Sequence, residues 1–394
     1  RSRVTLDIGF SATLLGSQRG ADYPDQSPPI SNTQLSNCRK ALVYAEGVSD
    51  VSIEGGGTID GNARGVADWN GNKIKEALRP MAVFTTLSQR VRMHDVTVRD
   101  AGTWAVVHME VSGLTVQRLT VRSDLGATHD GIDIVDGHDV LIEDSVFESG
   151  DDSICLKSGS ARGTERVIVR RCQTVQSGVA NGVKFGTASV GSFKDILVED
   201  VSVANAQAAG LAVESVDGAA IAGVTFRRIQ VRNVGTPFFV LLGSRDRDPT
   251  RVGSIDDLRF ESIRGGELRY GWGSIVTGSV VGDRTFALGR VSFSDVDLAF
   301  RGAGVPANPA PFTVDNFPEY QGPVSGQPGQ RYNQYPDAKF ITGTGGVENT
   351  RYYAPGYGLF LRHAGAVTLE RCRASLVGAD PRPAVVHKDV AAVQ

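Results

Sequence analysis

The sequence predicts an all-β chain wound as a right-handed parallel β-helix, a solenoid built as a single domain. Three observations predict it: a valine-rich template recurring along most of the chain, a nearly constant step between its copies, and 47 glycines in 394 residues for the bends. Each copy reads roughly apolar, any, apolar, then a polar stretch, then apolar again. Alternation with period two marks a strand, and short strands at a long fixed period mark coils that stack on one another.

The copies begin at Val91 (VRMHDVTV), Leu114 (LTVQRLTV), Val140 (VLIEDSVF), Val167 (VIVRRCQT), Ile196 (ILVEDVSV), Val224 (VTFRRIQV), Leu258 (LRFESIRG), Val291 (VSFSDVDL) and Val367 (VTLERCRA). From Leu114 to Val224 the steps are 26, 27, 29 and 28 residues. A β-sandwich needs hairpin turns every few residues, and Asn-Gly dipeptides between adjacent apolar runs are rare here. No long amphipathic helical pattern competes. The repeat runs nearly end to end, so residues 1–394 read as one domain, interrupted at 301–357 by a non-repeat stretch rich in Pro, Gly, Asn and Tyr. That stretch is expected to be a loop packed along the solenoid, walling off one end of a cleft.

A net charge of −3 without basic clusters argues against a nucleic-acid partner. No apolar run reaches the roughly eighteen residues of a membrane span. Cys38, Cys155, Cys172 and Cys372 lack metal-ligand spacing, and no metal or other cofactor is expected. Cys155 and Cys172 lie on neighbouring coils, where either a disulfide or two buried thiols fits. A solenoid with capped ends needs no partner to fold, so a monomer is expected.

The segment ATHDGIDIVDGHDVLIEDSVFESGDDSICLKSGS places Asp130 about one coil before Asp151 and Asp152. Aligned by their shared glycine, successive coils put Asp130, Asp152, Asn181 and Ala209 in one column. Stacked strands lie about 4.8 Å apart. Carboxylates that close cannot all ionise freely, and at least one pKa should rise, which suits a proton donor near neutral pH. Singly, each aspartate fits a turn, because aspartate bonds to nearby backbone at bends; Asp95, Asp139 and Asp195 occupy repeated turn positions of that kind.

HDGIDI, followed a coil later by GDDSICLKSG, resembles the NTDGIDI and GDDCIAIKSG signatures of the polygalacturonase family, glycoside hydrolase family 28, as a divergent bacterial-type member. VTLDIGFSATLLGSQRGADYP, ALVYAEGVSDVSIEGGGTIDGNA, AGTWAVVHME and APGYGLFLRHAGAVTLERCRASLVGADPRPAVV extend the likeness over almost the whole chain. Family members usually carry a further segment before the VTLDIG-like strand, so an N-terminal piece with any signal peptide is expected to be missing. The resemblance implies an inverting glycoside hydrolase, secreted or periplasmic, acting on a plant or microbial polysaccharide or oligosaccharide. It assigns Asp151 as general acid and Asp130 with Asp152 as the carboxylates that hold and deprotonate water. Inversion calls for an acid-to-base separation of about 6.5–9.5 Å.

Departures from the family pattern bear on the sugar. The family's GHG histidine falls at Asn181, and the arginine and lysine of its RIK element fall at Ala212 and Glu214. In pectin-cleaving members those two cations are taken to grip the uronate carboxylate. Lys184, in the column of Asp133 and Cys155, is either a substitute cation or a solvated outward lysine. The first keeps an acidic sugar in play; the second favours a neutral or modified one. His129 could titrate near pH 6.5 beside Asp130, or simply make a turn. Trp69, Trp104 and Trp272 could stack on sugar rings or pack between coils, and Trp272 is retained as a substrate-binding candidate. His108, alternating with Glu110 on the strand after Trp104, is expected to face outward and line a subsite. Two other functions fit the fold: a lyase on a uronic acid polymer, and a non-catalytic carbohydrate-binding β-helix.

Overall fold

The computed structural model describes residues 1–26, 38–67, 69, 78–246, 248–266, 272–302, 313–315, 317, 319 and 354–394. It is a right-handed parallel β-helix. Twenty-nine strands join in one sheet that coils on itself, and a small antiparallel hairpin, Ser279–Val281 with Arg284–Phe286, stands apart. Among the described residues the only helices are the 3₁₀ turns Gly20–Asp22 and Pro249–Arg251, and no helix is long and apolar enough to cross a membrane.

All nine template starts share one register column. Val91 pairs with Leu114, then in succession Val140, Val167, Ile196, Val224, Leu258, Val291 and Val367 follow. The column continues backwards to Val51 and Val4, two coils whose steps are stretched by long connections. The apolar alternate residues turn inward and form one core cluster from Ile8 to Val367. Within it Phe226, Phe260 and Phe293 stack nearly parallel, with ring centroids 5.2 and 4.8 Å apart.

Each coil contributes to three strand stacks, exemplified by His138–Glu143, Val146–Ser149 and Ile154–Ser158. The third stack positions the site. It runs through Val106–Met109, Ile132–Val135, Ile154–Ser158, Val183–Ser189, Ala209–Ser215 and Thr236–Leu242. In register, Ile132 and Ile134 point into the core while Asp133 points out, next to Cys155, Lys184 and Ala212.

The bends separate two kinds of aspartate. Asp95, Asp139 and Asp195 adopt left-handed backbone at φ 56°, 57° and 54°, a conformation that Asp tolerates better than most residues. Asp95 and Asp139 also pair with arginines of the next coil, Arg118 at 2.6 Å and Arg166 at 2.7 Å. Those pairs are exposed and contribute little individually. Asp130, Asp151 and Asp152 are absent from the left-handed set.

Most of the non-repeat stretch, residues 303–312, 316, 318 and 320–353, lies outside the described residues. Cys155 and Cys172 are separate thiols, both buried. The Cys155 sulfur sits against Gly186 O and Lys157 Nζ, and that of Cys172 against Arg170 O.

Candidate active site

The coil connection before Ile132–Val135 delivers Asp130, and the next one delivers Asp151 and Asp152. Backbone bonding locks the two connections together, with Gly131 N donating to Asp152 O at 2.8 Å and Asp151 N to His129 O at 3.1 Å. Asp130 and Asp152 are each only 3% exposed, whereas Asp151 is half-buried and the most accessible of the three. One carboxylate oxygen from each of Asp130 and Asp152 and the Cys155 sulfur lie within 4.8 Å of one another.

Each aspartate is held differently. Asp151 Oδ2 accepts from Thr128 N at 2.6 Å and its Oδ1 from Asp152 N at 3.1 Å. Thr128 is a β-branched residue at φ 65°, an uncommon and strained conformation. Arg79 Nη2 donates to its hydroxyl at 2.8 Å, and Thr103 Oγ1 donates to its carbonyl at 3.2 Å. Asp152 Oδ1 accepts from Asn181 N at 3.0 Å and Asn181 Nδ2 at 2.8 Å, and Lys184 Nζ lies 3.2 Å from its Oδ2. Asp130 Oδ2 faces Lys157 Nζ at 3.4 Å, and the same ammonium lies 2.9 Å from Asp133 Oδ1.

Burial, followed by the neighbouring Asp133 charge, holds the Asp130 carboxyl well above its usual range. Burial also raises Asp133, to about 6, against the pull of Lys157. A raised carboxyl is therefore present, with burial as its first cause and like charge second to it. It falls on Asp130 and its neighbour.

The remaining candidates divide sharply. Lys184 is no solvated surface lysine: it is 7% exposed, paired with Asp152, and 3.9 Å from Glu214 Oε1. Glu214 is fully buried beside it. Asn181 is also buried, with its amide Oδ1 accepting from Ala209 N at 2.9 Å and its Nδ2 on Asp152. It orients Asp152 instead of presenting itself to a sugar.

Three expectations are corrected. Trp272 has no exposed surface, so no face is available for a sugar; its carbonyl anchors Ala354 N and Arg382 Nη1 in the closing coils. Trp69 and Trp104 are buried too, as packing requires. His108 faces inward, because it shares a register column with Thr85 and the core residue Ile134, and its Nδ1 bonds Thr85 Oγ1 at 2.5 Å. Burial pushes its pKa down to about 3. Thr85→Val, which strands that nitrogen in the core, is expected to cost about 1–3 kcal/mol in urea unfolding. His129 is buried with Nδ1 against the carbonyls of Gly126 and Ala127, at 3.2 and 3.1 Å. Burial, reinforced by the Arg79 charge, lowers its pKa to about 4, so it stays neutral near pH 6.5.

Lys157 and Asp133 are the site residues that motif reading passed over. Lys157 follows Cys155 by two, so strand alternation puts both on one face. Its ammonium lies 2.9 Å from Cys155 Sγ and 4.6 Å from the Trp104 ring centroid. The two lysines also answer the metal question. Among the described residues the Asp130, Asp152 and Cys155 grouping is the one with ligand-like spacing, and ammoniums already sit against all three members. A divalent cation there would face two positive charges.

A groove of about 930 Å³ runs over a different stack, with Leu141, Ile168 and Leu197 on its floor and Arg90, Asp139 and Arg166 along one wall. It does not include Asp130, Asp151 or Asp152.

Comparison with known proteins agrees with the fold. Residues 10–270 match the family model described as "Glycosyl hydrolases family 28". A probable polygalacturonase of Vitis vinifera is 27% identical over 224 residues, 52% of this chain and 44% of that protein. An exo-poly-alpha-D-galacturonosidase of Dickeya chrysanthemi is 24% identical over 42% of this chain and 35% of its own length. The chain spans about half the length, or less, of the curated relatives it matches. Among solved structures, the family 28 exopolygalacturonase of Yersinia enterocolitica superposes with a TM-score of 0.71 at 16% identity, over 100% of this chain and 70% of that one. A hyperthermoactive exopolygalacturonase of Thermotoga maritima gives 0.61 at 17% identity, over 76% and 77%.

Proposed function

The chain belongs to glycosyl hydrolases family 28, and on that premise we propose that it hydrolyses a glycosidic bond in a pectic or related polysaccharide, with inversion at the anomeric carbon. The observation that carries this reading is the acidic cluster on adjacent coils, with one accessible member and two buried ones. Asp151, the accessible carboxyl, protonates the leaving oxygen. Asp130 and Asp152 hold and deprotonate the attacking water from the opposite side of the ring. Lys184 and Asn181 orient Asp152, because both place hydrogen-bond donors against its oxygens. Such a protein works where polysaccharide is, secreted or in the periplasm, as a monomer.

The altered sugar-binding positions support a terminal sugar that is neutral or modified. Ala212 offers no charge, and Lys184 next to it in register is already matched by Asp152 and Glu214. A uronate carboxylate entering there gains no cation from Ala212 or Glu214, where charge pairing would favour it.

Exo action is part of the proposal. Beyond Lys184 the outward column becomes Ala212, Phe239, Ile275 and Phe360, all without exposed surface. Phe317 packs there, 4.8 Å from the Phe360 ring, and Arg362 ties down both Phe317 O at 3.0 Å and Glu319 Oε1 at 2.9 Å. That covering of one end of the sheet face is what supports exo action.

A screen of purified oligosaccharides tests the substrate. Neutral or modified non-reducing termini should be released at least about tenfold faster than galacturonate termini, a difference of about 1.4 kcal/mol. Glu214→Gln, which removes one of the charges opposing Lys184, should raise kcat/KM on galacturonate termini. Preferred cleavage of galacturonate by the unaltered protein would overturn the substrate assignment.

A further inference from the structure

We infer that Lys157 and Asp133 are positioning residues that set the charge of Asp130 from beneath the cleft, Lys157 as its buried counter-ion and Asp133 as its competitor for that ion. The inference rests on the reading of Asp130 as one of the water-activating carboxylates.

One ammonium serves two carboxylates here. Lys157 Nζ lies 2.9 Å from Asp133 Oδ1 and 3.4 Å from Asp130 Oδ2, with side-chain exposures of 5%, 0% and 5% for Lys157, Asp133 and Asp130. In such a place an ion is poorly hydrated, so each carboxylate strongly favours the cation or a proton. With one positive charge between them, the pair holds one proton more readily than it holds none, and the two titrate as a unit. Directions agree with this: Asp130 and Asp133 are both raised by burial and both drawn down by Lys157.

The other charged groups bearing on Asp130 are Asp151 and Asp152 on the next coil, which oppose its ionisation. Lys184 is turned toward Asp152 and Glu214. Cys155 and the Trp104 ring complete the ammonium's surroundings, and burial keeps the thiol protonated. Lys157 touches no sugar in this arrangement. Its effect on the reaction runs through Asp130.

Removing the cation and removing the competitor should move Asp130 in opposite directions. In Lys157→Met, Asp130 loses its counter-ion and should titrate at least about one pH unit higher. In Asp133→Asn, Lys157 is left to Asp130 alone, and its titration should move lower. Both are read without turnover by following the aspartate carboxyl carbons of the full chain by carbon-13 NMR across pH. With substrate, the acid limb of kcat/KM should follow the same shifts, kcat should fall about tenfold or more in Lys157→Met with KM within about threefold, and Lys157→Arg should recover part of the loss. A merely structural lysine would lower stability without opposite shifts. Folded Lys157→Met and Asp133→Asn proteins whose Asp130 resonance titrates as in the parent overturn the inference. Opposite shifts in a protein that cleaves no glycan would keep the electrostatic coupling and refute the hydrolase reading instead.

Discussion

Asp151→Asn is expected to lower turnover by about 10²–10⁴-fold, the contribution usual for a positioned general acid, with KM nearly unchanged, the fold retained and stability lowered by about 1 kcal/mol for the one backbone N–H left without its acceptor. Structure explains why the loss should be so selective. The side-chain oxygens of Asp151 accept from Thr128 N and Asp152 N, and an asparagine oxygen can replace one of those acceptors in the same rotamer. What an amide cannot do is give a proton to a departing sugar oxygen. Asp130 and Asp152 are too buried to take over that contact. Initial rates on a cleaved oligosaccharide, with circular dichroism as the fold control, provide the measurement. Near-parental activity in the variant would remove Asp151 from the mechanism.

Lys184→Met is expected to destabilise the fold by about 3–5 kcal/mol, the usual cost of breaking a buried ion pair from one side. The lysine sits between Asp152 and Glu214, at 3.2 and 3.9 Å, and both carboxylates are buried. Without the ammonium, both are left with poorer compensation in a dry site. Adding Glu214→Gln removes one of the stranded charges and should recover part of the stability, a coupling that a double-mutant cycle in urea detects. A loss under about 0.5 kcal/mol for Lys184→Met is the behaviour of a surface lysine and would contradict the arrangement.

The repeat was legible because strand periodicity and coil length are local properties. Val91, Leu114, Val140 and their successors share a column since each coil must bury the same alternate residues over its neighbour. The same regularity made it legible that Asp133, Cys155, Lys184 and Ala212 stack. It failed where a single register step decides the face. His108 is polar and read as outward, yet its column partners Thr85 and Ile134 place it in the interior, where the threonine hydroxyl satisfies it. Trp272 failed for a related reason, since an aromatic beside a coil bend can face a cleft or be covered, and here the closing coils cover it.

By itself, then, the sequence determined the solenoid, the column of acidic residues, and the family to which those motifs point. These depend on periodicity and on residues adjacent along the chain. Only the tertiary structure decided which charges neutralise which: Lys157 with Asp130 and Asp133, Lys184 with Asp152 and Glu214. Those pairings depend on side-chain reach across coils, between residues 24 to 32 apart in the chain, and on the exclusion of water, and neither quantity is written in the order of the residues.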